Sequence, residues 1–216
     1  MPVRKVSNRG GNIIGYFPSL KMGKMVTFES TIERDLLYLL DYEAHVVAFA
    51  DQPLVITYLD NGRKHTYTPD FHVKFADGND TIIECKPHDL TGTAENRRKF
   101  AAGSTWAAEK GWAFAVITEK ALRTSHRLGN VKLLTRHARH EIPDSLKLRI
   151  QHYLAHGASP KSIADLVVEM APENVGAIIT AVYQMLFYHE LVTEMDDVPI
   201  TPQSLVHLPA GKDESP

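Results

Sequence analysis

The stretch Tyr67-Thr68-Pro69-Asp70-Phe71-His72-Val73-Lys74-Phe75, then a turn, then Thr81-Ile82-Ile83-Glu84-Cys85-Lys86, decides the reading of this chain. Side chains alternate faces along a strand. Odd positions carry Phe71, Val73, Phe75, Thr81, Ile83 and Cys85, a core face. Even positions carry Asp70, His72, Lys74, Ile82, Glu84 and Lys86, a mostly polar face. Both sets fit one sheet only if odd residues pair with odd. That requires an odd number of loop residues, for example Asp77-Gly78-Asn79, and sets Asp70 opposite Lys86. Glu84 is then the diagonal neighbour of Asp70, at roughly 7 Å or somewhat less. A two-residue Gly78-Asn79 turn is the alternative and separates the two acids onto opposite faces. In the first register, two carboxylates and a lysine are placed to hold a divalent metal and orient a water. That is the chemistry of phosphodiester hydrolysis. The bland alternative makes Asp70 turn chemistry after Pro69, and Glu84 and Lys86 a solvated strand face.

A third carboxylate precedes the sheet. Residues 28–40 read as a helix whose apolar stripe runs through Ile32, Leu36, Leu39 and Leu40. Glu33 sits at the edge of that stripe. Ser30-x-x-Glu33 is a capping box, and a Glu aimed at the sheet is equally a metal ligand, directly or through water. The two roles compete for one rotamer.

The ordered set Phe28-Glu29-Ser30-x-x-Glu33, Gln52-Pro53, Tyr67-Thr68-Pro69-Asp70-Phe71 and Glu84-Cys85-Lys86-Pro87 resembles the TnsA-type transposon endonucleases. The resemblance covers roughly residues 1–120 and implies the restriction-endonuclease-like fold. It implies Glu33, Asp70, Glu84 and Lys86 as the catalytic set. Asp70, Glu84, the backbone carbonyl of Cys85 and Glu33 would hold Mg²⁺, for which Mn²⁺ substitutes. Gln52 falls on a motif position of less defined role. The resemblance further implies double-stranded DNA at transposon ends as substrate, cut at the 5′ ends. A DDE-type transposase partner would cut the 3′ ends, with a regulatory ATPase beside it. Two other readings stay open: a restriction-like nuclease of repair or defence, and a non-catalytic DNA- and partner-binding adaptor.

Charge is unevenly spread. The chain is −2 overall, yet residues 86–149 carry 13 Lys and Arg against 6 Asp and Glu, and the first 24 residues hold five bases and no acid. Ile163–Gly211 has no Lys or Arg. A basic part near the candidate site suits phosphate contacts, with Arg97, Arg98 and Lys99 and also Gln52 as candidates. The single Cys85 excludes an internal disulfide framework, and its place on the core face suggests an inert thiol. No apolar run is long enough to span a membrane, and no secretory signal is evident, so a cytoplasmic protein is expected.

Periodicity predicts an α/β chain with four parts. Residues 1–24 form a basic N-terminal arm and 25–142 a catalytic domain of order αβββαβ, restriction-endonuclease-like. In it, Trp112–Thr118 is a buried strand and 119–142 a basic connector, either a solvated face or a DNA-backbone contact. Residues 143–198 form a small winged-helix-like domain of three helices, one of them started by Ser159-Pro160. Its third helix lacks Lys and Arg, which favours a protein partner over DNA. Residues 199–216 form a Pro-containing tail, extended or disordered.

Overall fold

The structure is a computed structural model that describes residues 13–157, 160–170 and 174–210. The chain divides into two units, residues 1–124 and 125–216.

The first unit is built on a four-stranded sheet. Its strands are β3 (Val46–Asp51), β6 (Phe71–Phe75), β7 (Asp80–Cys85) and β8 (Ala113–Ile117), in the order β3-β6-β7-β8. Pairings are antiparallel except β7–β8, which is parallel and bridged by helix α2 (Ala94–Ala108). Helix α1 (Thr31–Tyr42) covers the odd face. There Phe71, Val73, Ile83 and Cys85 join Ile32, Leu36, Leu37 and Leu40 in one buried core. A hairpin of β1 (Gly15–Ser19) and β2 (Lys24–Phe28) adds Phe17, Val26 and Phe28 to that core. The core elements α1-β3-β6-β7-α2-β8 therefore follow the expected αβββαβ order of a restriction-endonuclease-like fold.

Four differences from expectation have physical causes. Residues 15–24 are no loose arm: the Asp41 carboxylate accepts from the Ser19 hydroxyl and from the Leu20 and Lys21 amides, at 2.9 and 3.0 Å for the amides. Residues 1–12 of the expected arm lie outside the described residues. Second, β4 (Ile56–Asp60) does not join the main sheet. Among the described residues it pairs only with β5 (Arg63–Tyr67), because the chain leaves β3 through Gln52 at φ +42 and then Pro53, and β6 takes the place beside β3. Third, β8 is an edge strand and only partly buried, despite its continuous apolar run. Fourth, the β6–β7 loop is Ala76-Asp77-Gly78, one residue earlier than expected. The Phe75 amide bonds the Asn79 carbonyl at 2.9 Å, and Gly78 takes φ +86. An αL glycine ending a three-residue loop is a favoured hairpin connection.

The second unit begins earlier than residue 143. Helix α4 (Arg127–Thr135) buries Leu128, Val131 and Leu134 and packs on α7 (Val175–Phe187). The buried Asn130 amide donates to the Met195 and Val198 carbonyls and accepts from the Ile200 amide at 2.8 Å. The short helix α3 (Glu119–Arg123) stays with the first unit, where Arg123 pairs with the buried Asp35 at 2.7 Å. Arg127 likewise pairs with Asp196 at 3.2 Å. These two connector cations are thus tied into structure. Helices α5 (Asp144–His156), α6 (Ile163–Met170) and α7 are accompanied by a two-stranded ribbon of β9 (Lys161–Ser162) and β10 (Leu205–Val206). The three helices fall where expected, but the ribbon does not: β10 lies beyond residue 198, and Val192, where a short strand was expected at 192–194, makes only an isolated bridge to His207. Ser159 lies outside the described residues; α6 is capped by Ser162, whose hydroxyl accepts the Asp165 amide at 3.0 Å. The expected tail is ordered to Ala210, since Ile200 and Val206 are buried. Among the described residues no helix is long and apolar enough to cross a membrane.

The even face of the main sheet lies under α2, and Gly103 makes that approach possible. A Cβ there would stand 2.0 Å from the Tyr67 hydroxyl and 2.5 Å from the Phe114 ring. Overpacking of this kind costs about 1–3 kcal/mol. Gly103→Ala is therefore expected to lower the thermal midpoint in a calorimetric melt, and Gly129→Ala, where nothing stands within 4 Å, is not.

Candidate active site

The register Phe71↔Ile83, His72↔Ile82, Val73↔Thr81 fixes which polar groups meet. Odd residues pair with odd, as expected. Continued by one step, the same register brings Asp70 opposite Glu84, not Lys86, because the loop sits one residue earlier. Asp70, just before β6, and Glu84, in β7, thus both reach the end of the sheet and line one cavity. The Cys85 amide donates to Asp70 Oδ2 at 2.7 Å and pins its carboxylate at the sheet end. Lys86 turns back onto Glu84, Nζ to Oε1 3.1 Å. A cavity of about 530 Å³ opens there, lined by Glu33, Asp70, Glu84, Lys86 and Lys99 among others.

Glu33 adopts the capping-box rotamer. Its Oε2 accepts the Glu29 amide and its Oε1 the Ser30 hydroxyl, both at 2.8 Å, and Ser30 Oγ accepts the Glu33 amide at 3.1 Å. It nevertheless lines the cavity. Of the other expected residues, Lys99 lines the cavity and pairs with Glu95 at 2.7 Å. Arg98 is bound to Asp60 at 3.1 Å, and Arg97 is exposed on α2. Gln52 is buried and structural in its contacts. Its amide bonds the Asp70 carbonyl at 2.8 Å and its Nε2 donates to Glu29 Oε1 at 2.7 Å. Sequence reasoning gave no role to Glu29 and Tyr67, which also line the cavity. Their signal was present, since both fall inside the motif blocks already quoted.

Burial dominates the electrostatics, with neighbouring carboxylates adding to it at Asp70 and Glu33. Burial first, then the Glu84 and Glu33 carboxylates, push the Asp70 carboxyl well above its ordinary range, against the Cys85 amide and Lys86. Burial likewise raises Glu84 against the pull of Lys86 and Lys99. Glu33 is raised by burial in spite of its two hydrogen bonds. Burial opposes the Lys86 ammonium, but Glu84, Asp70 and Glu33 outweigh it and hold its pKa above that of ordinary lysine. Lys86 is therefore a cation at neutral pH. The Cys85 thiol is pushed far up by burial, as expected of an inert group.

The residues fit a hard divalent cation. Glu84 Oε2 is buried without a hydrogen-bond partner. Asp70 and Glu84 offer oxygen from both strands, with the Cys85 carbonyl between Glu84 and Lys86 in the chain. Among the described residues no three His, Cys, Asp or Glu side chains stand close enough to ligate one ion. Magnesium commonly takes only one or two carboxylates and fills its shell with water and phosphate.

Residues 43–119 match the family model of the TnsA-like endonuclease N-terminal domain. The chain is also similar to the head completion nuclease of Enterobacteria phage T4, 27% identical over 124 residues, 46% of this chain and 83% of the phage protein. Fold, site and similarities together define a DNA endonuclease with a restriction-endonuclease-like core. The stretch that matches the family model, residues 43–119, holds Gln52, Asp70, Glu84 and Lys86, and Glu33 lies before it.

The raised Asp70 pKa sets a sign for stability. A carboxyl whose folded pKa exceeds its unfolded value favours folding below the unfolded pKa, and that advantage is lost as pH rises through the folded value. Asp70→Asn should therefore stabilise metal-free protein, and by more at pH 8 than at pH 5, in thermal melts with EDTA. Excess Mg²⁺ at pH 8 should narrow or reverse the difference.

Proposed function

We propose that this protein is a Mg²⁺-dependent endonuclease that cuts duplex DNA at transposon ends, at the 5′ ends, beside a DDE-type transposase under a regulatory ATPase. The observation that carries the chemistry is the forced meeting of Asp70 and Glu84 beside the Lys86 cation. The transposition setting rests on the TnsA-like stretch. Asp70, Glu84 and the Cys85 carbonyl would hold the ion, with Glu33 at the edge of the shell. Bound there, Mg²⁺ supplies neutralisation of phosphate charge and a water of lowered pKa.

The chain's own groups do the rest. Lys86, held protonated by three acids, orients the attacking water and stabilises charge on the phosphorane oxygens. Its raised pKa makes it a poor proton acceptor, so the electrostatic role is preferred over deprotonation. Lys99 adds a second cation on the cavity wall. Glu33 and Ser30, locked to each other, fix the start of α1 against the sheet end. Cytoplasmic location goes with this setting.

A second reading is favoured by one observation: the similarity to a phage nuclease extends over more of the chain than the family match. It makes the protein a nuclease acting outside transposition. Cleavage of arbitrary duplex DNA by the protein alone would support it, whereas cleavage confined to transposon ends with the transposase present supports the first.

Asp70→Ala is expected to abolish cleavage of a labelled duplex in Mg²⁺ and leave the circular dichroism spectrum unchanged. Lys86→Ala should lower kcat about 10²–10³-fold, the usual cost of losing one preorganised charge donor. Full cleavage by Asp70→Ala would overturn the site, and Mn²⁺ binding by calorimetry, present in wild type and lost in Asp70→Ala, would place the ion there.

A further inference from the structure

The β4–β5 hairpin has no role in the reaction above, and one of its faces is exposed along its length. In the hairpin register Ile56 pairs with Tyr67, Tyr58 with His65 and Asp60 with Arg63, which puts these six side chains on one face. That face turns toward α2: Ile56 and Tyr67 are buried, and Asp60 is bound to Arg98. The opposite face carries Val55, Thr57, Leu59, Lys64 and Thr66. All five are exposed, Leu59 to 75%. A leucine so exposed stabilises nothing in the folded chain.

Charge says what covers this face. Arg63, Lys64 and His65 are consecutive and exposed on β5. The hairpin's single acid, Asp60, is already neutralised by Arg98. The outer face has no carboxylate, in a chain whose net charge is −2. At its base the hairpin is continuous with the candidate active site, since Thr66, Tyr67 and Thr68 line the same cavity as Asp70 and Glu84. Any duplex seated with a phosphate at those acids passes next to this ribbon.

We propose that the β4–β5 hairpin is a DNA-docking ribbon, which lies along the major groove of the duplex whose backbone enters the site. Two-stranded ribbons are accommodated by that groove. Lys64, on the outer face, contacts phosphates on one wall of the groove, and Arg63, exposed on the opposite face beside the hairpin tip, contacts those on the other. The Thr57 and Thr66 hydroxyls meet backbone or base edges, and Leu59 meets an apolar surface such as a thymine methyl. The proposal rests on the endonuclease reading and adds the element that holds the substrate there.

The test uses full-length protein and a fluorescein-labelled 40-base-pair duplex, followed by anisotropy in EDTA from 50 to 200 mM KCl. The double variant R63A/K64A removes two phosphate contacts, each worth about 0.9 in the slope of log K against log salt. Across that salt range wild type should lose about twelvefold more affinity than the double variant. Lys64→Glu should weaken binding further, and Lys24→Ala, an exposed lysine on β2, should match wild type. Thermal melts should show all variants folded, since the substituted side chains are exposed. Equal affinity and equal slope for R63A/K64A and wild type would overturn the proposal and assign the face to a protein partner. Wild-type protein that leaves the duplex unbound in EDTA and again in Ca²⁺ would overturn both this proposal and the endonuclease reading. Normal binding by wild type and the double variant alike would leave that reading standing.

Discussion

The first unit depends on one costly juxtaposition, two carboxylates, Asp70 and Glu84, brought into one cavity at the end of the sheet. Burial penalises the charge on both, and at Asp70 the Glu84 carboxylate adds to it. Register holds them together. Phe71, Val73 and Ile83 are buried beneath α1 while Ile82 is buried on the other face, so a one-residue slip would turn every apolar side chain the wrong way. The loop reinforces this: Gly78 adopts the left-handed conformation and closes Phe75 onto Asn79. The core thus stabilises an arrangement that the acids themselves oppose, as is common where strain serves function.

Much of this was legible in the residues. Alternation along 70–86 identified the two faces, the parity of the turn and the acids that share a cavity. What alternation could not decide was which three residues form the loop. Both 76–78 and 77–79 preserve parity, yet one sets Asp70 against Lys86 and the other against Glu84. The deciding feature is local: the last loop residue takes φ > 0, and glycine accepts that conformation without a Cβ penalty. Gly78 occupies that position in 76–78, while 77–79 would place Asn79 there.

Partner choice between strands was less legible. The pattern of β4 does not say that, among the described residues, it pairs with β5 and not with the main sheet. That outcome follows from Gln52, whose φ of +42 and following proline turn the chain out of the sheet. Gln52 also reaches Glu29 through its side chain and Asp70 through its amide, so one residue of undefined role in the sequence ties three segments at the site. The boundary near residue 125 was hidden for a related reason. The basic residues of 119–142 suggested a continuous surface, whereas the apolar Leu128, Val131 and Leu134 between them are what commit α4 to the second unit. Charge was the more visible pattern and packing the deciding one.

The cavity's charge count explains why an acid-rich site serves an anionic substrate. Glu29, Glu33, Asp70 and Glu84 face Lys86 and Lys99. Fully ionised, they leave a surplus of two negative charges, and the raised carboxyl pKa values show how strongly the cavity resists that state. A phosphodiester entering it would meet repulsion from Asp70 and Glu84 that the two ammonium groups do not cancel. On the proposed reading, a dication would remove that surplus, favour the ionised carboxylates and leave the lysines to act on the phosphate. Ion and substrate would then be thermodynamically linked, each binding more tightly with the other present, and that linkage would follow from the placement of six side chains.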